Sequence, residues 1–130
     1  INIIEEISPN IWIYGNEEQL KQLMVILIDN ACKYTSAQGT VRFRLYSEQN
    51  KVFLKVSNTG DPIPPDDLEH IFERFYRSDK SRVYQNGGYG LGLTIAQTIV
   101  EKHHGKIQVF STAEEGTIFS VSLPLENKKI

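Results

Sequence analysis

Apolar side chains at Leu20, Leu23, Met24, Leu27, Ala31 and Tyr34 recur three and four residues apart, the spacing of one face of an α-helix, and Asn16 with Gln19 three places on supplies an N-cap and its partner. The pattern predicts a helix over 17–34. Beyond it the period drops to two. Val41, Phe43 and Leu45 alternate with Arg42 and Arg44, a polar SEQN turn follows, and Val52, Leu54 and Val56 alternate again, which predicts an antiparallel pair. Pro64 and Pro65, with Asp66 and Asp67 in the first turn, open a second helix over about 65–76 whose buried side is Leu68, Ile71, Phe72 and Phe75. From Leu91 to His103 the helical period returns, and Gly105 stands where a C′ glycine ends a third helix. Lys106–Ser111 and Thr117–Leu123 flank the turn TAEEG as another hairpin, and Ile1–Ile7 and Ile11–Tyr14 are further strand candidates. Adjacent hairpins mixed with helices, without strict strand-helix alternation, indicate a two-layer α/β sandwich with a mixed sheet.

Composition narrows this picture without redirecting it. With 130 residues, 40% hydrophobic and 23% charged, the chain is sized for one domain with its own core. A formal charge of -2 leaves no electrostatic footprint for nucleic acid, and no apolar run approaches the roughly 20 residues that span a bilayer. Cys32 is the single cysteine, so no intrachain disulfide forms, which suits a reducing compartment such as the cytoplasm. The chain begins INIIEEI without an initiator methionine and ends in the polar ENKKI; we expect a C-terminal piece of a larger protein, with 1–130 forming a single domain.

Candidate chemistry gathers in three places. Gly87, Gly88, Gly90 and Gly92 run straight into the third helix, although glycine costs about 1 kcal/mol against alanine inside a helix. Bare amides at a helix N-terminus suit an anion, usually phosphate. No GxxxxGK[ST] occurs, and the G-x-G-x-G spacing does not follow a strand, so neither a P-loop nor a dinucleotide fingerprint is present. Asn30, Lys33 and Tyr34 share a helix face that combines an oxygen ligand suited to Mg²⁺, a phosphate-seeking ammonium and an aromatic platform. The same spacing allows a plain Asp29–Lys33 ion pair and a core Tyr34. The third place is SNTGDPIP at 57–64, a turn-former run at a strand end that also reads as a tight loop. Taken together with the polar, aperiodic stretch from Ser78 to Gly88 and the basic residues Arg77, Lys80 and Arg82, these read as a nucleotide site.

The ordered series DNACKYT (29–35), SNTGDPI (57–63), IFERFYR (71–77), GYGLGLTIAQTIVEKHHGKI (88–107) and GTIFSVSLP (116–124) resembles the N, G1, F and G2 boxes and closing hairpin of the catalytic ATP-binding domain of bacterial sensor histidine kinases. The likeness covers essentially the whole chain. It implies the Bergerat fold, a mixed and mostly antiparallel five-stranded sheet on about three helices, shared with gyrase, heat-shock-protein 90 and mismatch-repair ATPases; the F box IFERFYR separates the kinases from those relatives. Residue by residue, it implies that Asn30 ligates Mg²⁺, Lys33 reaches the phosphates, Tyr34 packs beside adenine and Asn58 faces the adenine edge. Gly60 would let backbone approach the base. Gly88, Gly90 and Gly92 would shape the hinge and the phosphate-facing helix start, with Ile63, Phe75, Arg77, Leu91, Leu93 and Thr117 completing the ATP contacts. Residues 78–88 would form a lid over ATP, anchored by Phe72, Phe75 and Tyr76, which serve equally as helix core.

Three positions depart from the family pattern: Ile26 replaces asparagine, Asn58 replaces the aspartate of the second box, and Pro62 replaces its second glycine. Ile26 removes a polar group one turn from Asn30, and Pro62 removes an N–H donor. An asparagine at 58 can read either purine, so Asn58→Asp is expected to raise the ratio of GTP to ATP dissociation constants unless neighbours such as Thr59 pin the amide. The resemblance further implies transfer of the γ-phosphoryl group to a histidine on a separate dimerisation domain, and through it to a response regulator. His70, His103 and His104 lie outside the H-E-x-x-x-P context of that acceptor and read as structural or surface groups. The fragment is expected to be a monomer, its parent a membrane-anchored homodimer. Two alternatives stand beside this reading. One is a nucleotide-sensing module without catalysis; the other is a hydrolysing or serine-phosphorylating relative in which Asp29 activates water.

Overall fold

The computed structural model describes residues 2–9, 11, 13, 15–35, 38–73 and 92–124. Five strands, β1 (Asn2–Ile7), β2 (Thr40–Glu48), β3 (Lys51–Asn58), β4 (Lys106–Thr112) and β5 (Gly116–Pro124), form one sheet in the order β1-β2-β3-β5-β4. Only β1 and β2 run parallel; the other three pairings are antiparallel. The helices are α1 (Glu17–Tyr34), a short α2 (Pro65–Leu68) and α3 (Gly92–Lys102).

The period-two pattern accounts for the layering. Val41 and Phe43, Leu54 and Val56, and Phe119, Val121 and Leu123 are buried on one sheet face against Leu23, Leu27 and Ala31 of α1 and Ala96, Ile99 and Val100 of α3. Arg42, Arg44, Tyr46 and Lys55 occupy the other face, where Arg44 lies over the Tyr46 ring at 4.8 Å and Tyr46 stacks on Phe53. The β2–β3 hairpin closes through Gln49 and Asn50, both at positive φ, the twist that matches flanking strands in a two-residue loop. Asn16 caps α1 as its sequence position predicts, its side chain accepting from the Gln19 amide at 2.9 Å.

Three expectations need correction. The second helix, expected over 65–76, keeps α-helical form only to Leu68 and continues in turns through Glu73, with residues 74–76 outside the described set. Three-residue bonds, from the His70 amide to Asp67 and from Glu73 to His70, tighten the backbone there. Tertiary demand is the reason: Phe72 sets its ring edge-on to Phe119 at 6.3 Å, and its carbonyl accepts from Thr94 Oγ1 of α3 at 2.8 Å. Second, where a strand is expected over Ile11–Tyr14, Ile11 and Ile13 lie outside any strand and residues 12 and 14 lie outside the described set. Gly15, just before the α1 cap, lies so close to the His103 ring that a Cβ on it would strike the ring.

Third, the residue that reverses the chain after α3 is His104, at φ 64, and not Gly105. The Gly105 amide bonds the Val100 carbonyl and the His104 amide bonds Glu101, a Schellman closure with His104 at C′. Gly105 is needed for space instead, because a Cβ there would meet the Ser122 carbonyl and Leu123.

Candidate functional site

The inner sheet face changes character at one rung. Strand alternation that buries Val56 and Phe119 and half-buries Val109 next points Asn58, Thr117 and Ser111 the same way, and the register places these three side by side, Asn58 opposite Thr117 and Thr117 opposite Ser111. Asn58 is 5% exposed and Thr117 is 4% exposed. Buried polar groups this close to an apolar core need partners. Thr117 shares a 2.8 Å hydroxyl contact with Ser111, whose oxygen accepts from the Ile63 amide at 2.8 Å. The loop after β3 is thus tied down at Asn58 and again at Ile63. Gly60 lies between them at φ 143, a region that side chains rarely enter.

Thr59 fastens this rung to α1. Its amide donates to the Thr40 carbonyl, its hydroxyl accepts from the Thr40 amide, and its carbonyl accepts from Thr35 Oγ1 just past the helix end at 2.8 Å. Two and five residues back along the chain, α1 presents Lys33 and half-buried Asn30. The Lys33 ammonium pairs with Asp29 at 3.3 Å, so the ion-pair reading of this spacing is realised. The Asp29 carboxylate is exposed and the Lys33 side chain half-buried, and surface i,i+4 pairs contribute only about 0.3–0.5 kcal/mol, so the ion pair does not commit the ammonium against a phosphate. Ile26 packs on the core, and a Cβ on Gly92 would lie 3.7 Å from it. The start of α3 therefore adjoins the Asn30 stretch of α1, and packing among the described residues does not itself demand glycine there.

Of the residues singled out from sequence, Asn58, Thr117 and Ile63 are brought together around Ser111, Gly60 bridges them, and Asn30 and Lys33 share the adjoining helix. Gly92 and half-buried Leu93 begin α3. Tyr34 ends α1; its side chain, like Phe75, Arg77, Gly88, Gly90 and Leu91, lies outside the described residues. Thr35, Thr59 as a clamp, and Ser111 were not foreseen. The signal for Ser111 was present, since it breaks the inward apolar positions Ile107 and Val109 at the same end of the sheet as Asn58 and Thr117.

The histidines divide clearly. His103 is buried; its Nε2 accepts from the Asn16 amide at 3.0 Å and its Nδ1 bonds the Ile99 carbonyl at 2.8 Å, which requires the neutral ring with its proton on Nδ1. His70 pairs with Glu73 at 2.7 Å, and that hydrogen bond and charge raise its pKa above the ordinary 6.5. Among the described residues no three His, Cys, Asp or Glu side chains converge on a point. A hard oxygen donor such as Asn30 fits Mg²⁺, which usually takes one or two protein groups and completes its shell with phosphate and water.

A five-stranded mixed sheet packed against helices on one face fits the histidine kinase-, DNA gyrase B- and HSP90-like ATPases, whose family pattern matches residues 15–127. The chain belongs to this family. It is 45% identical over 118 residues to the sensor histidine kinase RppB of Synechocystis sp., covering 91% of this chain and 26% of that protein. It is 42% identical over 112 residues to the signal transduction histidine-protein kinase ArlS of Staphylococcus epidermidis, covering 86% and 25%. The mycobacterial sensor histidine kinase MprB superposes with a TM-score of 0.86 at 30% identity, covering 96% of this chain and 84% of that one. Full-length ShkA in complex with AMPPNP gives 0.83 at 27% identity, covering 99% and 26%. The chain thus spans about a quarter of the length of the curated relatives. Among the described residues no helix is long and apolar enough to cross a membrane.

Proposed function

We propose that this chain is the catalytic ATP-binding domain of a sensor histidine kinase, one part of a longer, membrane-anchored homodimer. The observation that carries the reading is the joined pair of surfaces: a buried polar rung, Asn58–Thr117–Ser111, clamped through Thr59 to the helix that bears Asn30 and Lys33. The rung, with Gly60, Ile63, Leu93 and Tyr34, takes the adenine. Lys33 holds phosphate, and the amides at the start of α3 favour its charge. Phe75, Arg77, Gly88, Gly90 and Leu91 complete the nucleotide contacts in this reading. Asn30 would hold Mg²⁺, which supplies charge neutralisation on the triphosphate. Phosphoryl transfer depends on positioning and electrostatics more than on covalent help from the protein, so this set suffices to present the γ-phosphate to an imidazole from a separate dimerisation domain, from which a response regulator is served.

His103 cannot be that imidazole, being buried with both nitrogens engaged. The test has two arms. Calorimetric titration is expected to show ATP binding that strengthens with Mg²⁺. Labelled ATP is expected to leave the isolated chain unmarked and to mark a histidine only when the dimerisation domain of the parent is added. Acid-labile label on His70, His103 or His104 would overturn the assignment.

A further inference from the structure

The sheet face turned away from α1 and α3 is open, which is ordinary for antiparallel strands with polar outward residues. Two features here go beyond that. The first is charge: the register puts Arg42, Arg44, Lys51, Lys55 and Lys106 on this face against the carboxylates of Glu6 and Glu48, although the chain as a whole carries -2. The second is arrangement. Arg44 and Lys55 stand directly opposite each other on neighbouring strands, a like-charge pairing that destabilises a sheet. Both lie over the Tyr46 ring, at 4.8 and 5.8 Å, and Tyr46 stacks on Phe53 with centroids 5.3 Å apart. The ring attracts both cations but neutralises neither. Glu6 is divided between Arg42 and Arg44 at 3.3 and 3.2 Å, and Lys55 has no carboxylate partner among the described residues. An anion seated between Arg44 and Lys55 would relieve the repulsion.

Size and make-up narrow what fits. Strands ~4.8 Å apart, rising ~3.4 Å per residue, make the face roughly 20 Å by 25 Å, about 500 Å², below the ~800 Å² that each side of a stable complex buries. Its apolar part is small and flat, with Tyr46, Phe53 and Ile118 half-buried and Phe110 exposed on the far strand. A permanent cover would be larger and more apolar, whereas exposed charge speeds encounter with a partner that comes and goes. A bilayer fits less well, because a flat strand platform offers little to insert and Glu6 and Glu48 would face anionic headgroups. We propose that this face, centred on Arg44, Lys55 and Tyr46, is a docking surface for an acidic amphipathic helix of a separate protein, held transiently with its carboxylates on the two cations and its apolar side chains against Tyr46 and Phe53. A helix is the natural cover for a sheet face, and about 18 residues at ~1.5 Å each match its length. The surface lies across the sheet from Asn58, so the inference stands apart from the nucleotide reading.

The probe is a helical peptide of that length with glutamates flanking a leucine stripe, beside a counterpart carrying glutamine for every glutamate. NMR titration of the whole chain with the acidic peptide is expected to shift the amide signals of Arg44, Tyr46, Phe53 and Lys55, with a dissociation constant of about 10–500 μM. The glutamine peptide should bind at least about tenfold more weakly, and raising ionic strength from about 0.05 to 0.3 M should weaken the acidic one about fivefold. Lys55→Glu, and separately Arg44→Gln, should each cost about tenfold in affinity, with signals of the α1–α3 core unmoved as the check on folding. Equal binding of the two peptides, shifts confined to the helix side, or undiminished binding by Lys55→Glu would overturn the proposal. So would two other occupants: sedimentation with vesicles of about 30% phosphatidylserine while the peptide leaves the sheet signals unmoved, or a dimer of this chain that Lys55→Glu dissolves.

Discussion

His103 and Asn58 are both polar, both buried and both at the junction of α1 with the rest of the domain, yet they are opposites in hydrogen bonding. At the helix start, His103 is 9% exposed and each ring nitrogen has a backbone partner, one on the α1 cap and one on α3. Near the helix end, Asn58 spends its nitrogen on Thr59 and keeps an oxygen without a described partner. A buried polar group with nothing left over fastens the fold. One with an acceptor left over can take a further hydrogen bond from whatever donor enters the site.

The largest expected break in this comparison is at His103. His103→Leu leaves the Asn16 amide without its acceptor and should lower unfolding free energy by about 2–3 kcal/mol in urea titrations. Lys33→Ala comes next. Its partner is an exposed carboxylate, so stability should move by less than about 0.5 kcal/mol, whereas ATP affinity should fall roughly tenfold, or about 1.4 kcal/mol, by calorimetry; the reverse pattern would make Lys33 a purely structural cation. Asn58→Leu sharpens the contrast: although buried like His103, its unfolding free energy should stay within about 1 kcal/mol, because the change removes one bond together with an acceptor that has no partner among the described residues.

The smallest effect belongs to His70, an exposed histidine beside Glu73. Its folded pKa is raised, first by the Glu73 hydrogen bond and then by the charges of Glu73, Glu69 and Asp67. The pair therefore contributes fully below the unfolded pKa and fades as pH rises through the folded one. Thermal melts from below pH 6 to above pH 7 should show a slight loss that His70→Gln abolishes.

What could be read from the chain was local. The cap at Asn16, the period of α1, the alternation in β2 and β3 and the turn TAEEG between β4 and β5 each depend on residues a few positions apart, and they reappear in the fold. The contacts that decide function or stability are distant. Asn16 meets His103 across 87 positions, and Thr35 meets Thr59 across 24. No periodicity encodes such meetings. The second helix was over-extended because its apolar spacing is helical while the pull of Phe119 and Thr94 on Phe72 is tertiary. At the α3 end the glycine was legible but its role was not: His104 accepts the left-handed turn, and Gly105 gives way to the Ser122 backbone.

The parallel edge strand also gives the domain a mechanical direction. β1 runs alongside β2 from Asn2 opposite Thr40 to Ile7 opposite Leu45, with Glu6 bound to both Arg42 and Arg44. Tension applied along β1 from its Asn2 end loads all these rungs together in shear, whereas tension across it would peel them one at a time. The leading rung ends on Thr40, the residue that grips both the amide and the hydroxyl of Thr59. A tug on the strand would therefore reach the clamp beside Asn58 through its first rung at the same time as the rungs at Val41 and Phe43 carry it into the apolar core.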